Sequence, residues 1–312
     1  MANTGFSGRF CRKCLQISLP AAEMIRFAKM VYPGYDIYQR TGYPKGHPIA
    51  PNDAASRIVI DMIQDGYYLD FVEMLLTIDS QGYMGHRYPL RGLDDVIDDI
   101  IQAGYSYDKT TKQFFENQRE RITRNWGRLL EGDERQMAVL RLDIAGNSIL
   151  VKENKKQLID KAYSDLRKIV TQAVISRLGR LWTWEGDGAL GAFMLGDYGC
   201  MAICAGMEVL NEMFFYNMIG NPLNAEIKLR ISVFSGNLVY SKSETENLRA
   251  DIVKKAIAME SKAALPNSMV ISEGLAATQD QVYMNIFSNI KATSTGKYRM
   301  YQVFQERRNT NT

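Results

Sequence analysis

Met137-Ala-Val-Leu-Arg-Leu-Asp-Ile-Ala-Gly-Asn147 is the stretch on which the reading of this chain turns. An apolar run leads straight into Asp143, and Gly146 follows three positions later. Such a pattern predicts a buried strand that delivers a carboxylate to its end, then a tight turn into a helix. A second stretch answers it, Trp182-Thr-Trp-Glu-Gly-Asp-Gly-Ala-Leu-Gly191. Gly186 and Gly188 flank Asp187 there, the signature of a hairpin turn that carries an acid. Two carboxylates held close together are what phosphoryl-transfer sites use to bind divalent metals against polyphosphate.

Outward from these stretches the second half reads as mixed α/β. After strand 137–143 the pattern predicts a helix over 147–153 and a long amphipathic helix over 156–175. Leu158, Ile159, Ala162, Leu166 and Ile169 face inward on the longer one. Strands 178–185 and 189–194 form the hairpin, and a long helix covers 197–217. Strands 226–234 and 237–241, a helix 250–261, a strand 268–272, a short helix 274–279 and end strands near 284–291 and 298–306 complete the half. This order fits a ferredoxin-like β-α-β-β-α-β core, a fold that hosts many functions. Trp182 and Trp184 alternate on a strand and are expected to share one face, as core or dimer contact.

Five motifs in order resemble the class III nucleotide cyclase catalytic domain. They are Leu130-Glu-Gly-Asp-Glu-Arg-Gln-Met-Ala-Val-Leu-Arg-Leu-Asp143-Ile-Ala-Gly, the hairpin at Asp187 44 residues later, Arg230-Ile-Ser-Val-Phe-Ser-Gly236, Ile257-Ala-Met-Glu-Ser261 and Met269-Val-Ile-Ser-Glu273. The resemblance covers about 130–306. It implies conversion of a nucleoside triphosphate to a 3′,5′-cyclic nucleotide and pyrophosphate with two divalent metal ions, magnesium or manganese. It also implies a homodimer with active sites between the chains, and a place in bacterial-type second-messenger signalling. The superfamily includes the bacterial pyrimidine cyclases of phage defence, so antiviral defence is within its range. By resemblance Asp143 and Asp187 are the metal ligands, with the main-chain carbonyl of Ile144 as a third. Asn147 and Ser148 lie in the turn where helix amides take phosphate oxygens.

Three positions depart from the family pattern. The base-selecting Lys or Glu, four residues before the second metal Asp, is Thr183 here. Thr hydrogen-bonds a base edge but carries no charge, so the resemblance leaves the base open. The transition-state Asn and Arg of the late helix align to Lys254 and Ala258, which leaves Lys254 as the catalytic candidate. The late Lys-Gly falls at Thr295-Gly296, with Lys297 next to it. The competing reading is a catalytically inactive cyclase-like module that dimerises or binds nucleotide, with Asp143 an N-cap and Asp187 an ordinary turn residue.

The first half reads as all α. Helices are expected over 20–31, from Pro51 to about Gln64, over 68–79 and over 93–103. Gly66-Tyr-Tyr-Leu-Asp70-Phe-Val-Glu-Met-Leu75 resembles helical effector-associated domains of bacterial signalling and defence proteins, which implies a regulatory or adaptor role with a protein partner. A plain helical bundle reads equally well. Asp94, Asp95, Asp98 and Asp99 read as a solvated acidic face, because like charges at i, i+4 repel. Residues 107–132 are charged and read as a helical linker, with Phe115, Ile122, Trp126 and Leu130 as a seam. The domains expected are thus 1–106, the linker 107–132 and 133–308.

Composition bounds the rest. The 312 residues suggest two domains, and 46% hydrophobic content supports real cores. A net charge of +3 with interspersed signs points to neither nucleic acid nor membrane surfaces. No apolar run reaches a membrane span, and Met1–Pro20 lacks the apolar segment of a signal peptide, so the cytoplasm is expected. Cys11 and Cys14 form a single Cys-x-x-Cys with only His47 and His86 elsewhere, too few ligands for structural zinc. They read as a reduced pair near a mobile end.

Overall fold

The computed structural model describes residues 5–303. Positions 304–308 of the expected second domain, with the end of expected strand 298–306, lie outside them. The chain divides into two units, Met1–Arg128 and Leu129–Thr312.

The first unit packs α1 (Arg9–Ser18), α2 (Ala21–Val31), α3 (Ile37–Thr41), α4 (Pro51–Gln64), α5 (Tyr68–Gln81) and α6 (Leu93–Gln102) around one core. Helix α1 was not foreseen. It buries Cys11, Cys14 and Leu15, so the cysteine pair belongs to the core and not to a mobile end. Burial pushes the Cys14 thiol up to about 11, with Asp79 adding to the shift, and burial pushes Cys11 higher still.

The helical linker expected over 107–132 is corrected. A hairpin of β1 (Tyr105–Asp108) and β2 (Gln113–Glu116) opens this stretch, and no helix follows before the second unit. Asp108 Oδ1 accepts from the Thr110 amide at 2.8 Å, which turns the chain before Lys112 takes a positive φ of 57°. Phe114 is buried while Phe115 is half-buried, a period of two where the proposed seam needed 3.6. Glu116, fully buried, then accepts from the Thr123 amide (2.5 Å) and hydroxyl (2.8 Å) and faces Arg121 Nε at 3.2 Å. These local bonds offer the backbone an alternative to helix.

The second unit contains β3 (Glu134–Ile144), α7 (Asn147–Glu153), α8 (Lys156–Ile175), β4 (Arg180–Glu185), β5 (Gly188–Phe193), α9 (Tyr198–Ile219), β6 (Leu229–Val239), α10 (Glu244–Arg249), α11 (Asp251–Ala263), β7 (Ser268–Ser272), α12 (Glu273–Ala276), α13 (Gln281–Met284), β8 (Lys291–Thr293) and β9 (Gly296–Gln302). Its seven-stranded sheet has the order β4-β5-β3-β6-β7-β9-β8. The first four strands are antiparallel neighbours, and with α8 and α9 they make the ferredoxin-like β-α-β-β-α-β core. The chain as a whole is α+β. The larger differences from the sequence reading fall in the later elements. The two strands expected over 226–234 and 237–241 are one long strand, β6 (Leu229–Val239), and the short helix expected over 274–279 is α12 (Glu273–Ala276). Residues 284–291 are not a strand: α13 and a loop precede the three-residue β8.

Each face of the sheet has its own cover. Ala162, Leu166 and Val170 of α8 and Ala202, Ala205 and Val209 of α9 bury one face against Leu140, Leu142 and Ile231. Helix α11 covers the other, where Met259 and Ala263 meet Val270 and Met300. A side chain on β3 therefore points to α8 and α9 or to α11 according to the parity of its position.

Candidate active site

Asp143 sits at the end of β3, on the α11 face. It pairs with Arg230 across β6, in the same parity as Arg141 with Ser232. Ser232 is buried and its hydroxyl donates to the Ala256 carbonyl of α11 at 2.7 Å, which fixes the face. The β3–β5 register pairs Leu142 with Ala189, so one step further Asp143 lies opposite Gly188 and Ile144 beside Asp187. The sheet thus brings the two predicted carboxylates to adjoining strand ends. Gly186 (φ 58°) and Gly146 (φ 72°) take left-handed conformations that a side chain would strain, one before Asp187 and the other before Asn147.

Charge around Asp143 is dense. Arg230 Nη2 donates to Asp143 Oδ2 at 2.5 Å, and Arg141 Nη2 stands 3.8 Å from Oδ1. Arg230 Nε lies 2.8 Å from Oε1 of Glu260 on α11, whose side chain is 4% exposed. That contact is one of charge without hydrogen-bond alignment: Arg230 Nε, Glu260 Oε1 and Arg141 Nε are buried atoms with no hydrogen-bond partner. Burial raises the Glu260 carboxyl above the ordinary range; Arg230 opposes the rise, Asp143 adds to it and Arg141 opposes it. Sequence reasoning missed Arg141 and Glu260. Arg141 could have been found as the one charge inside the apolar run of β3, two residues before Asp143 and so on its face.

Asp187 differs. Half-buried in the hairpin turn, it makes no hydrogen bond or ion pair among the described residues. Tyr163 of α8 lies near enough that burial and the Asp187 charge both raise its phenol, and its hydroxyl donates to Asn147 Oδ1. Asn147 is half-buried and Ser148 exposed at the start of α7, the turn where the sequence expects them.

Thr183 lies on the Asp143 face, and an irregularity of β4 precedes it. Leu181 pairs with Gly191 and Thr183 with Leu190, so Trp182 is an extra residue, a β-bulge. Leu190 pairs with Arg141, so Thr183, Leu190, Arg141 and Ser232 form one row on the α11 face. The bulge also separates the tryptophans, contrary to the expected shared face. Trp184 packs on the core of α8 and α9, with the Arg167 guanidinium 5.7 Å from its ring centre, whereas Trp182 lies 6.3 Å from Tyr240, centre to centre.

Lys254 is not brought to Asp143 of its own chain. It is exposed on α11, about 200° around the helix from Ala256, which faces the sheet. Ala258 is half-buried on the same helix.

The donors suit a hard divalent cation. Two carboxylates and a main-chain carbonyl are all oxygen, and Asp187 lacks a partner. Among the described residues no three His, Cys, Asp or Glu side chains gather as a metal cage. Magnesium does not require one, because it keeps several waters and binds through one or two carboxylates. The residues present fit the group.

No protein-family model matches the sequence, and the search of curated proteins finds no match. Among solved structures the chain is similar to the monomeric guanylyl cyclase domain of the RhoGC fusion protein from the aquatic fungus Blastocladiella emersonii, at 16% identity over 55% of this chain and 99% of that one, with a TM-score of 0.45. It is similar to the guanylate cyclase domain of RhGC from Catenaria anguillulae, in complex with GTP, at 16% identity over 55% and 98%, with a TM-score of 0.43. It is also similar to an adenylate/guanylate cyclase/hydrolase from Silicibacter pomeroyi, at 20% identity over 56% and 99%, with a TM-score of 0.45. All three are described as cyclases. Among the described residues no helix is long and apolar enough to cross a membrane.

Proposed function

We propose that the second unit is a nucleotide cyclase, which converts a nucleoside triphosphate to a 3′,5′-cyclic nucleotide and pyrophosphate. The observation that carries this reading is the register that sets Asp143, at the end of β3, beside the hairpin of the unpartnered Asp187. Asp143, Asp187 and the Ile144 carbonyl are the proposed ligands of two divalent ions, magnesium or manganese. When bound, such ions lower the pKa of a hydroxyl and offset the charge of phosphate oxygens. The 3′-oxygen forms a bond to the α-phosphorus, the bond from that phosphorus to the bridging oxygen breaks, and the hydroxyl proton passes to solvent. Thr183 is the proposed contact to the base edge, and Asn147 with Ser148 the proposed contact to phosphate.

Lys254 has its place in this scheme only in a homodimer. Its outward position supports a role in the site of a second copy, where its ammonium offsets charge on the departing phosphates. The helical unit is proposed to regulate the site or to bind a protein partner.

The alternative is an inactive module. Two observations favour it: Arg230 already holds Asp143, and Ala258 offers no charge. Turnover decides between them. Purified chain is incubated with manganese or magnesium and each of ATP, GTP, CTP and UTP, and products are read by mass. A cyclic product that disappears in both Asp143→Ala and Asp187→Ala supports the enzyme and names its base. No cyclic product from any triphosphate, with the chains still paired, supports the module.

A further inference from the structure

Asp143 is held by a cation before any metal reaches it, and that cation has a second place to go. Arg230 bridges β6 to two carboxylates, Asp143 Oδ2 at 2.5 Å and Glu260 Oε1 at 2.8 Å. Glu260 comes from α11, not from the site strands, and it is buried. The hydroxyl of Ser232, one pleat from Arg230, ties α11 to β6 through Ala256, one turn before Glu260. Arg141, the other cation near Asp143, sits over Gly188: a Cβ at that glycine would fall 2.4 Å from its Nη2. Asp143, Glu260, Arg141 and Arg230 together are neutral.

We infer that Glu260 is a positioning residue for the metal centre: it draws Arg230 off Asp143 and so leaves that carboxylate open to a divalent cation. This rests on the reading of Asp143 as a metal ligand. Without the Glu260 charge the cluster gains one net positive charge beside the metal position, and Arg230 has only Asp143 to pair with. Outer partners of metal ligands commonly change metal affinity by about 10–100-fold. Removal of Arg230 together with Glu260 returns the cluster to neutrality. The effect of Glu260 is therefore conditional on Arg230, which a merely structural role in the α11–β6 contact is not.

The test is manganese affinity of the full chain without nucleotide, read by electron paramagnetic resonance of free Mn2+. Glu260→Gln keeps the shape and is expected to weaken binding by about 10–100-fold. The double variant Arg230→Gln, Glu260→Gln is expected to recover most of that loss. Wild-type affinity in Glu260→Gln overturns the inference, and so does a double variant as weak as the single one. Asp143→Asn separates this from the parent reading: unchanged manganese binding there removes the metal centre itself. A second measurement needs no variant to fold. Magnesium titrated into the wild-type chain is expected to shift the Arg230 Nε–H resonance as the guanidinium leaves Asp143, and a resonance that stays fixed overturns the inference.

Discussion

Two arginines of this chain each meet two carboxylates, and they do so in opposite ways. Arg128, in the helical unit, is buried, and both of its terminal nitrogens are bonded. Nη1 donates to Glu73 Oε1 (2.8 Å) and the Phe114 carbonyl (2.7 Å), and Nη2 donates to Asp70 Oδ1 (2.7 Å) and Glu73 Oε2 (2.9 Å). Burial works against its charge, but Glu73 and Asp70 together hold its pKa above the ordinary value. Arg230 has one directed bond, to Asp143, and an unaligned contact to Glu260. A buried arginine with both terminal nitrogens bonded holds elements together, here α5 to β2. A cluster with donors and acceptors left over is poised to accept something else.

That contrast can be broken, and the largest expected effect is at the satisfied end. Arg128→Ala strands Asp70 and Glu73, and loss of one partner from a buried ion pair costs roughly 3–5 kcal/mol. Urea denaturation followed by circular dichroism is the check; a loss under 1 kcal/mol would show the helical cluster to be no better knit than the other. Next comes Asp187→Ala. Asp187 bonds to nothing among the described residues, so the variant should melt within about 1 kcal/mol of wild type. Turnover with the preferred triphosphate should nevertheless fall by about 10²–10³-fold or more, the range for a group that stabilises the transition state.

Smaller effects sharpen the same comparison. Tyr35 donates to buried Asp61 at 2.9 Å, and Arg57 completes that carboxylate. Tyr35→Phe should cost about 1.5–3 kcal/mol, as for a hydrogen bond to a charged acceptor, seen as a lower denaturant midpoint. Gly188→Ala should be nearly silent in stability, within about 1 kcal/mol, because the atoms in its way are the far end of Arg141. Its manganese affinity should change all the same, since Arg141 must leave the side of Asp143. The smallest effect is an expected absence of reaction. Iodoacetamide at neutral pH should not label Cys11 or Cys14 in the native chain, and peptide mass mapping would detect it.

Legibility in the sequence followed period and burial. Strand β7 and helix α8 have the bounds the sequence pattern gives them, Ser268–Ser272 and Lys156–Ile175. The Asp143 and Asp187 stretches were readable because strand, turn and glycine occur together in a few positions. The 107–132 segment misled because its charges resemble a solvated helix, while what decides its shape is the long-range burial of Phe114 and the bonds collected by Glu116. Helix α1 was hidden because two of its three buried residues are cysteines, which the Cys-x-x-Cys spacing drew toward metal chemistry. Glu260 stands out in the sequence only as part of the Ile257–Ser261 motif. Its distance from Arg230 depends on how α11 crosses β6, which no local pattern carries.

The bulge at Trp182 gives β4 something like a reading frame. Side chains on a strand are dealt alternately to two faces, and one surplus residue shifts the deal for all that precede it relative to the hairpin. Deletion of Trp182 would close the ladder into regular pairing without altering the identity of Thr183, Trp184 or Asp187. The Arg180–Leu181 end would then exchange faces, while the residues between the bulge and the turn would keep theirs. The length of β4, counted back from the hairpin, is thus a property apart from its composition, and two chains with the same residues around Asp187 can differ in the face to which they turn the Arg180–Leu181 end.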